Sequence, residues 1–253
     1  MRPKERVIYD EPQPCPYLPD RTARLPIRWP EQRLSRAQFE QRLAQGDRRT
    51  GSFLYRPHCP GCQACEAIRL PVNDFQPRST QRRTLRRGDE LLRMEIGEPQ
   101  ATLEQVALYN RHKQLRNLSQ AEDVHQETLA SYGAFLVDTC CDTEEFRYYH
   151  GEELVAVSVV DWGEGALSAV YTYFEPHFPG LSLGAYAILR QVKLCRERGL
   201  SWLYLGYYVA NCIHMNYKGL YCPHERLIAG EWQRFTEPPP RAGLEEGPGP
   251  IGR

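Results

Sequence analysis

The stretch that most constrains the fold lies between Leu154 and Tyr208. Leu154–Asp161 reads LVAVSVVD, which predicts a strand with an apolar, β-branched face. A Gly-Glu-Gly turn leads to a second strand, Ala166–Phe174 (ALSAVYTYF). The loop Glu175–Ser182, carrying Pro176, Pro179 and Gly180, precedes a helix from about Leu183 to Arg198 that Gly199 stops. Trp202–Tyr208 (WLYLGYY) is the next strand. The order is therefore strand, strand, loop, helix, strand. A helix opened by Pro179-Gly180-Leu181-Ser182-Leu183-Gly184 presents free backbone N–H groups and a positive dipole end, which favour an anionic group. Such turns also occur in many α/β domains that bind nothing there.

Upstream, residues 1 to about 33 are rich in Pro and Arg and read as an extended segment wrapped on the body. Ser35 and Gln38 form a capping box and Leu34 and Phe39 a hydrophobic staple, so a helix starts there and ends at Gly46. Ser52–Tyr55 and Ala67–Val72 read as strands flanking the loop His58-Cys59-Pro60-Gly61-Cys62-Gln63-Ala64-Cys65. Ser79 caps a basic helix, Leu91–Ile96 returns as a strand, and helices follow over Leu103 to about Arg116 and roughly Glu127–Val137. The fold class expected is α/β (α+β), divided into residues 1–100, 101–237 and a Pro/Gly-rich tail, 238–253, expected to be disordered.

Net charge is zero, but up to Arg93 basic residues outnumber acidic ones by 19 to 11, and beyond it acids prevail by 21 to 13. The basic half suggests a polyanion-facing surface, or simply an uneven solvated one. No run approaches the ~18 apolar residues that span a membrane, and the N-terminus lacks the apolar segment of a secretory signal, so the expected location is the cytoplasm. Nine cysteines in such a compartment point to metal binding or chemistry more than to disulfides.

The strand, strand, loop, helix, strand order resembles the core of the GCN5-related N-acetyltransferase fold, here in the C-terminal half with the Cys-containing N-terminal α/β region packed on it. Six blocks carry a closer likeness: Cys15-Pro16-Tyr17-Leu18-Pro19-Asp20-Arg21-Thr22-Ala23; Gly46-Asp47-Arg48-Arg49-Thr50-Gly51 running through Tyr55-Arg56-Pro57 into Cys59–Cys65; Ser79-Thr80-Gln81-Arg82-Arg83; Leu167–Thr172; Ser182-Leu183-Gly184; and Tyr204-Leu205-Gly206-Tyr207 with Met215, Tyr217-Lys218 and Pro223-His224-Glu225. In this order they resemble the bacterial branch of the arginyl/leucyl-tRNA–protein transferases. The resemblance implies transfer of leucine, or arginine, from aminoacyl-tRNA to proteins with an N-terminal Asp or Glu, creating a signal for degradation. The chain departs from the pattern at Ala185, at His214 and over Leu115-Arg116-Asn117-Leu118, which bears on the amino acid transferred.

That reaction needs no ATP and no dedicated nucleophile. The acceptor amine, with a pKa near ~7.7–8.0, must lose a proton and be held against the ester. The catalytic candidates are Asp161, to hold or deprotonate the α-ammonium, Tyr171 as a hydroxyl donor, and Tyr204; a strand-end turn and core-edge tyrosines are the plainer alternatives. Ser168 and Tyr171, three apart on a strand, face opposite sides unless a bulge intervenes. Ser168, Ser182, Leu183, Gly184, Gly206 and Tyr207 are substrate-binding candidates, Gly206 through close backbone approach. Lys218 suits a phosphate at the tRNA 3′ end, and Arg56 the acceptor's carboxylate; an ordinary solvated lysine and a surface ion pair are the alternatives.

Arg78, Arg82, Arg83, Arg86 and Arg87 form a helical stripe suited to the tRNA acceptor stem, or a solvated face. Cys59, Cys62 and Cys65, with Cys15 as a fourth, have the spacing of a zinc or iron–sulfur site, and an iron–sulfur cluster is what the resemblance implies; metal-free thiols buttressing a turn is the other reading. No cofactor is required for the transfer itself. Two rival functions use the same features: an acyl-CoA-dependent N-acyltransferase, for which Pro-Gly-Leu-Ser-Leu-Gly is a poor pyrophosphate loop, and a non-catalytic tRNA-binding protein.

Overall fold

The structure is a computed structural model that describes residues 3–115 and 126–239. The expected tail beyond 239 and the segment 116–118 lie outside the described residues.

An eight-stranded sheet organises the molecule, in the order β14-β13-β7-β12-β11-β10-β9-β8. Its strands are β7 (Glu66–Pro71), β8 (Arg93–Gly97), β9 (Thr143–His150), β10 (Glu153–Trp162), β11 (Ala166–Phe174), β12 (Trp202–Tyr208), β13 (His224–Ile228) and β14 (Glu231–Phe235). Every pairing is antiparallel except β11 with β12, which run parallel and are joined by helix α5 (Leu183–Glu197). The expected strand, strand, loop, helix, strand order is thus the centre of the sheet, within a mixed α/β fold.

The apolar run of β10 is explained by burial on both faces. Ala156, Val160 and Trp162 join a core under α5, whose Tyr186, Ala187, Leu189 and Val192 pack there. Val157 and Val159 face the other way, onto Tyr109 of α3 (Leu103–Leu115) and Tyr132 of α4 (Leu129–Tyr132). The expected helix over Glu127–Val137 is α4 followed by a π-helical turn, Gly133–Val137. The basic helix is α2 (Ser79–Leu91), whose N-cap is Arg78, one residue before the expected cap Ser79. It lies against α5, and a Cβ at Gly88 would collide with the Tyr186 ring.

The N-terminal segment is more ordered than its composition suggests. β1 (Glu5–Tyr9), β4 (Ile27–Pro30), β5 (Arg48–Thr50) and β6 (Phe53–Tyr55) form a four-stranded sheet, β1-β4-β6-β5. β2 (Pro12–Pro14) and β3 (Thr22–Arg24) make a two-stranded ribbon. Asp10 clamps its base, accepting from Arg24 Nε at 2.8 Å and Nη2 at 2.6 Å. Helix α1 (Arg36–Ala44) has the expected Ser35/Gln38 capping box, and Gly46, at φ +89°, supplies the left-handed exit that follows it. Phe39 and Leu43 of α1 seal the smaller sheet to the larger through Leu54, Ala166 and Tyr204.

Candidate active site: a cationic cleft where two strands part

β11 and β12 bond to each other only over Ala166–Ser168 and Trp202–Tyr204. Two irregularities drive them apart. In β11 the register slips at Val170, because Val159 pairs with Tyr171 and Val160 with Ala169. In β12 the pairing with β7 slips between Tyr204 and Tyr207, where Gly206 takes φ +87°. Beyond these points the strands diverge, and a cleft of ≈ 1820 Å³ opens between them. Ala169–Thr172 and Leu205–Tyr207 line it, as do the ribbon loop Cys15–Arg21, Ser182, Gly184 and Ala185 at the start of α5, and Lys218.

The bulge answers the geometric question about Ser168 and Tyr171. It inverts the alternation of β11, so Leu167 and Ala169 join one core while Tyr171 and Tyr173 join the other. Ser168 and Tyr171 therefore lie on the same side, as a bulge allows, but Ser168 is buried and only Tyr171 borders the cleft. Tyr109 and Phe135 hold the Tyr171 ring, at centroid distances of 5.5 and 5.6 Å.

Adjacent residues of a strand point to opposite faces, and β5 uses this to serve two places. Arg48 reaches the cleft, where Nη2 donates to Ala169 O at 2.9 Å. Arg49 turns into the core and grips Asp161 through Nε, at 3.0 and 2.8 Å to the two carboxylate oxygens. Both side chains of that pair are 0% exposed. Arg49 also donates to Gly51 O and Asp138 O, and Thr143 Oγ1 donates to Asp161 Oδ1 at 2.7 Å. Burial alone would lower the Arg49 pKa, but the Asp161 charge reverses the effect and raises it. Asp161 does not line the cleft; it is buried behind Arg49, which does, and its carboxylate is engaged by Arg49 and Thr143.

Tyr204 is likewise removed from the cleft. It is buried against Trp232, and its hydroxyl accepts from Arg69 Nη1 at 3.1 Å. Burial, its largest influence, raises its pKa, while Arg69 acts in the opposite sense. Leu183 is a core residue of α5. Arg56 lies outside the cleft, donating to Gln45 O and reaching Asp47 at 3.5 Å. Tyr207 and Gly206 do border it; the slip at Gly206 changes the simple alternation that would have put them on opposite faces. The Tyr207 hydroxyl donates to Gly46 O at 2.8 Å, tying β12 to the end of α1.

Lys218 enters the floor from a 3-10 turn, Tyr217–Leu220. Its Nζ donates to Tyr207 O at 2.8 Å and lies 3.5 Å from Met215 Sδ. Burial, and then the neighbouring Arg48 charge, push its pKa down to about 7. Arg48 and His112 are cleft residues that sequence reasoning did not single out. His112, on α3, brings Nδ1 within 3.1 Å of Phe174 O at the end of β11. Two arginines in a row, Arg48 and Arg49, both border the cleft and carry no sign that Arg49 is the one held by Asp161.

At the start of α5, the Ser182 side chain makes no capping hydrogen bond, so the first amides of the helix have no side-chain cap. Gly184 lets the helix close on Phe174, whose ring lies 2.9 Å from where a Cβ would stand. The five arginines Arg78, Arg82, Arg83, Arg86 and Arg87 lie on α2, beside rather than inside the cleft. Arg87 crosses the loop at Gly180, just before α5.

Cys15, Cys59, Cys62 and Cys65 are neighbours, but they do not fit a metal as they stand. Among the described residues no group of three or more His, Cys, Asp and Glu side chains could hold a metal ion. Cys59 Sγ accepts the Arg24 N–H at 3.4 Å. Burial, followed by the other three sulfurs, raises the Cys65 thiol to about 12.

A family model described as arginine-tRNA-protein transferase, N terminus, matches residues 13–83, and its C-terminal counterpart matches residues 104–228. The aspartate/glutamate leucyltransferase of Pseudoalteromonas atlantica is 37% identical over 224 residues, 88% of this chain and 95% of that protein. The protein of the same name from Chromobacterium violaceum is 37% identical over 227 residues, covering 89% and 92%. That of Acinetobacter baumannii is 35% identical over 225 residues, covering 89% and 82%. Among solved structures, the C-terminal domain of a putative lysylphosphatidylglycerol synthetase from Agrobacterium fabrum overlays with a TM-score of 0.44 and 15% identity, covering 58% of this chain and 47% of that one.

Proposed function

The chain belongs to the arginine-tRNA-protein transferase family, and from that premise we propose that it transfers leucine from leucyl-tRNA to proteins beginning with Asp or Glu. The relatives that match nearly their whole length bear the name aspartate/glutamate leucyltransferase, which favours leucine over arginine. The single observation that carries the chemistry is the cleft between β11 and β12, walled by both halves of the chain and floored by two cations, Arg48 and Lys218.

The acceptor's α-amine nitrogen attacks the aminoacyl ester carbon. A peptide bond forms, the ester C–O bond breaks, and the ribose hydroxyl of the tRNA leaves with a proton. The energy comes from the ester, so no cofactor enters. Holding amine and ester together can lower the barrier by about 7–11 kcal/mol in favourable cases. Tyr171, at the cleft edge, would donate to the developing oxyanion. The first turn of α5, with Ser182 and Gly184, suits a phosphate near the tRNA 3′ end. The arginine stripe of α2 (Arg78, Arg82, Arg83, Arg86, Arg87) continues that path toward the acceptor stem.

The product would carry a new N-terminal leucine, read as a signal for proteolysis in the cytoplasm. No helix among the described residues is long and apolar enough to cross a membrane. The test is labelled Leu-tRNA and Arg-tRNA, each with peptides starting Asp, Glu, Lys or Ala. The expected result is label transferred from Leu-tRNA to the Asp and Glu peptides only. Charged tRNA left intact with every peptide would remove the proposal, and tRNA binding without transfer would favour a non-catalytic RNA-binding role.

A further inference from the structure

Arg48 and Lys218 meet on opposite banks of the divergence. Arg48 Nη2 holds the carbonyl of Ala169 on β11, and Lys218 Nζ holds the carbonyl of Tyr207 on β12. Between them the chain has Gly206. A Cβ there would stand 3.5 Å from Lys218 Nζ and 3.6 Å from Arg48 Nη2, so the missing side chain leaves a gap that both cations border.

Among the described residues no acidic side chain forms an ion pair with either cation. Asp47, the sequence neighbour of Arg48, spends its carboxylate on Arg28, Arg42 and Arg56. The charged and titratable groups that act on Lys218 are Arg48, Cys212 and Cys65: one cation and two thiols. Two buried cations repel each other and have lost their water; an anion between them relieves both penalties. Both residues are nearly closed off, Arg48 at 6% exposure and Lys218 at 8%.

The degree of burial selects the kind of anion. A phosphodiester continues in two directions and needs an open path on both sides. A side-chain carboxylate ends where it binds, presents two oxygens to a guanidinium fork, and fits a dead end. The arginines of α2 and the first turn of α5 are the open surfaces suited to phosphates. We propose that Arg48 and Lys218 form the subsite for the side-chain carboxylate of the acceptor's N-terminal Asp or Glu, across the parting of β11 and β12. The assignment rests on the function proposed above and replaces Arg56, which the fold commits to Gln45 O and Asp47.

With the carboxylate anchored there, an Asp or Glu acceptor is held by its side chain while its α-amine remains free in the wider cleft. An Asn or Gln acceptor has the same shape but no charge. Selectivity between acid and amide is therefore the property these two residues control, and a residue that only supports the fold would not move it.

The test uses the full-length enzyme, Leu-tRNA, and four peptides identical except for a first residue of Asp, Asn, Glu or Gln. Arg48→Gln and Lys218→Met are each compared with the parent. We expect each variant to lose roughly ten- to a hundredfold in kcat/KM for the acidic peptides, the range for a charge-assisted hydrogen bond, mainly through KM. The amide peptides should change by less than about threefold, and the Kd for Leu-tRNA should hold within about twofold, since neither contains the recognised group. Arg48→Lys keeps the charge without the fork and should retain an acid-over-amide preference, weaker than the parent's, which guards against misfolding of the first variant. Equal losses for acid and amide peptides, or a fall in tRNA affinity with the acid preference intact, overturn the subsite while leaving the transferase function standing. A parent enzyme that transfers to no peptide overturns both.

Discussion

Replacing Asp161 by Ala should unfold more than it slows. The carboxylate is wholly buried, takes two bonds from Arg49 and one from Thr143, and does not border the cleft. Its removal leaves the Arg49 guanidinium charged in the core with only two carbonyls, Gly51 O and Asp138 O, still accepting from it. Breaking a buried pair by removing one partner costs about 3–5 kcal/mol. For a domain of this size each kcal/mol shifts Tm by roughly 2–4 °C, so the expected fall is roughly 6–20 °C. The assay is a thermal melt and a urea titration of Asp161→Ala beside steady-state kinetics below the transition. Asp161→Leu combined with Arg49→Met should recover much of the stability, because an apolar pair removes the stranded charge. A variant with unchanged Tm and kcat reduced a hundredfold or more would refute this reasoning and return Asp161 to the role of proton acceptor.

Lys218, with its pKa held near 7 by burial and by Arg48, should make stability pH-dependent. The unfolded chain keeps this proton up to about 10.4 while the folded one sheds it near 7, so the contribution of Lys218 to stability rises between those limits and is level below them. Lys218→Met should flatten that rise in urea midpoints measured from pH 6 to 9.5; an unaltered slope would count against the buried placement. Charge removal at Arg82 and Arg86 on α2 should lower tRNA affinity and reduce the salt slope by roughly 0.9 for each phosphate no longer neutralised, read from binding at several salt concentrations; an unchanged slope would make the stripe a solvated face. Gly206→Ala should cost about 1–2 kcal/mol from its left-handed backbone and place a methyl between Arg48 and Lys218, raising KM for acidic acceptors. A melt and a KM both matching the parent would show that the gap is not used.

The strands with strong patterns were legible in the sequence. Ala166–Phe174 and Trp202–Tyr208 occupy the expected spans because continuous apolar and aromatic composition marks a strand covered on both faces. The α1 cap was legible because a capping box is a local device. β1 to β4 were not: their residues are largely polar or proline, and they are strands only because each finds a partner across the sheet. β9, with its mixed TEEFRYYH, was hidden for the same reason. Gly206, Tyr171 and Lys218, which a strand glycine, a strand-edge hydroxyl and a matched motif single out, border the cleft. Asp161 and Tyr204 misled, since sequence position does not reveal that Arg49 and Arg69 already occupy them. Both Arg48 and Arg49 border the cleft, and which of them is spent on Asp161 depends on the phase of a three-residue strand that only the assembled sheets fix.

β7 sits between β12 and β13 in the large sheet. During synthesis, then, Glu66–Pro71 leaves the ribosome with neither of its flanking strands yet made, and it must wait for more than half of the chain. The far bank of the cleft is completed only when Trp202–Tyr208 slots in beside it, and the outer hairpin follows last. Nascent chains should therefore be inert toward tRNA until translation is almost over, and premature termination before residue 224 should leave an exposed sheet edge prone to self-association rather than a smaller working enzyme.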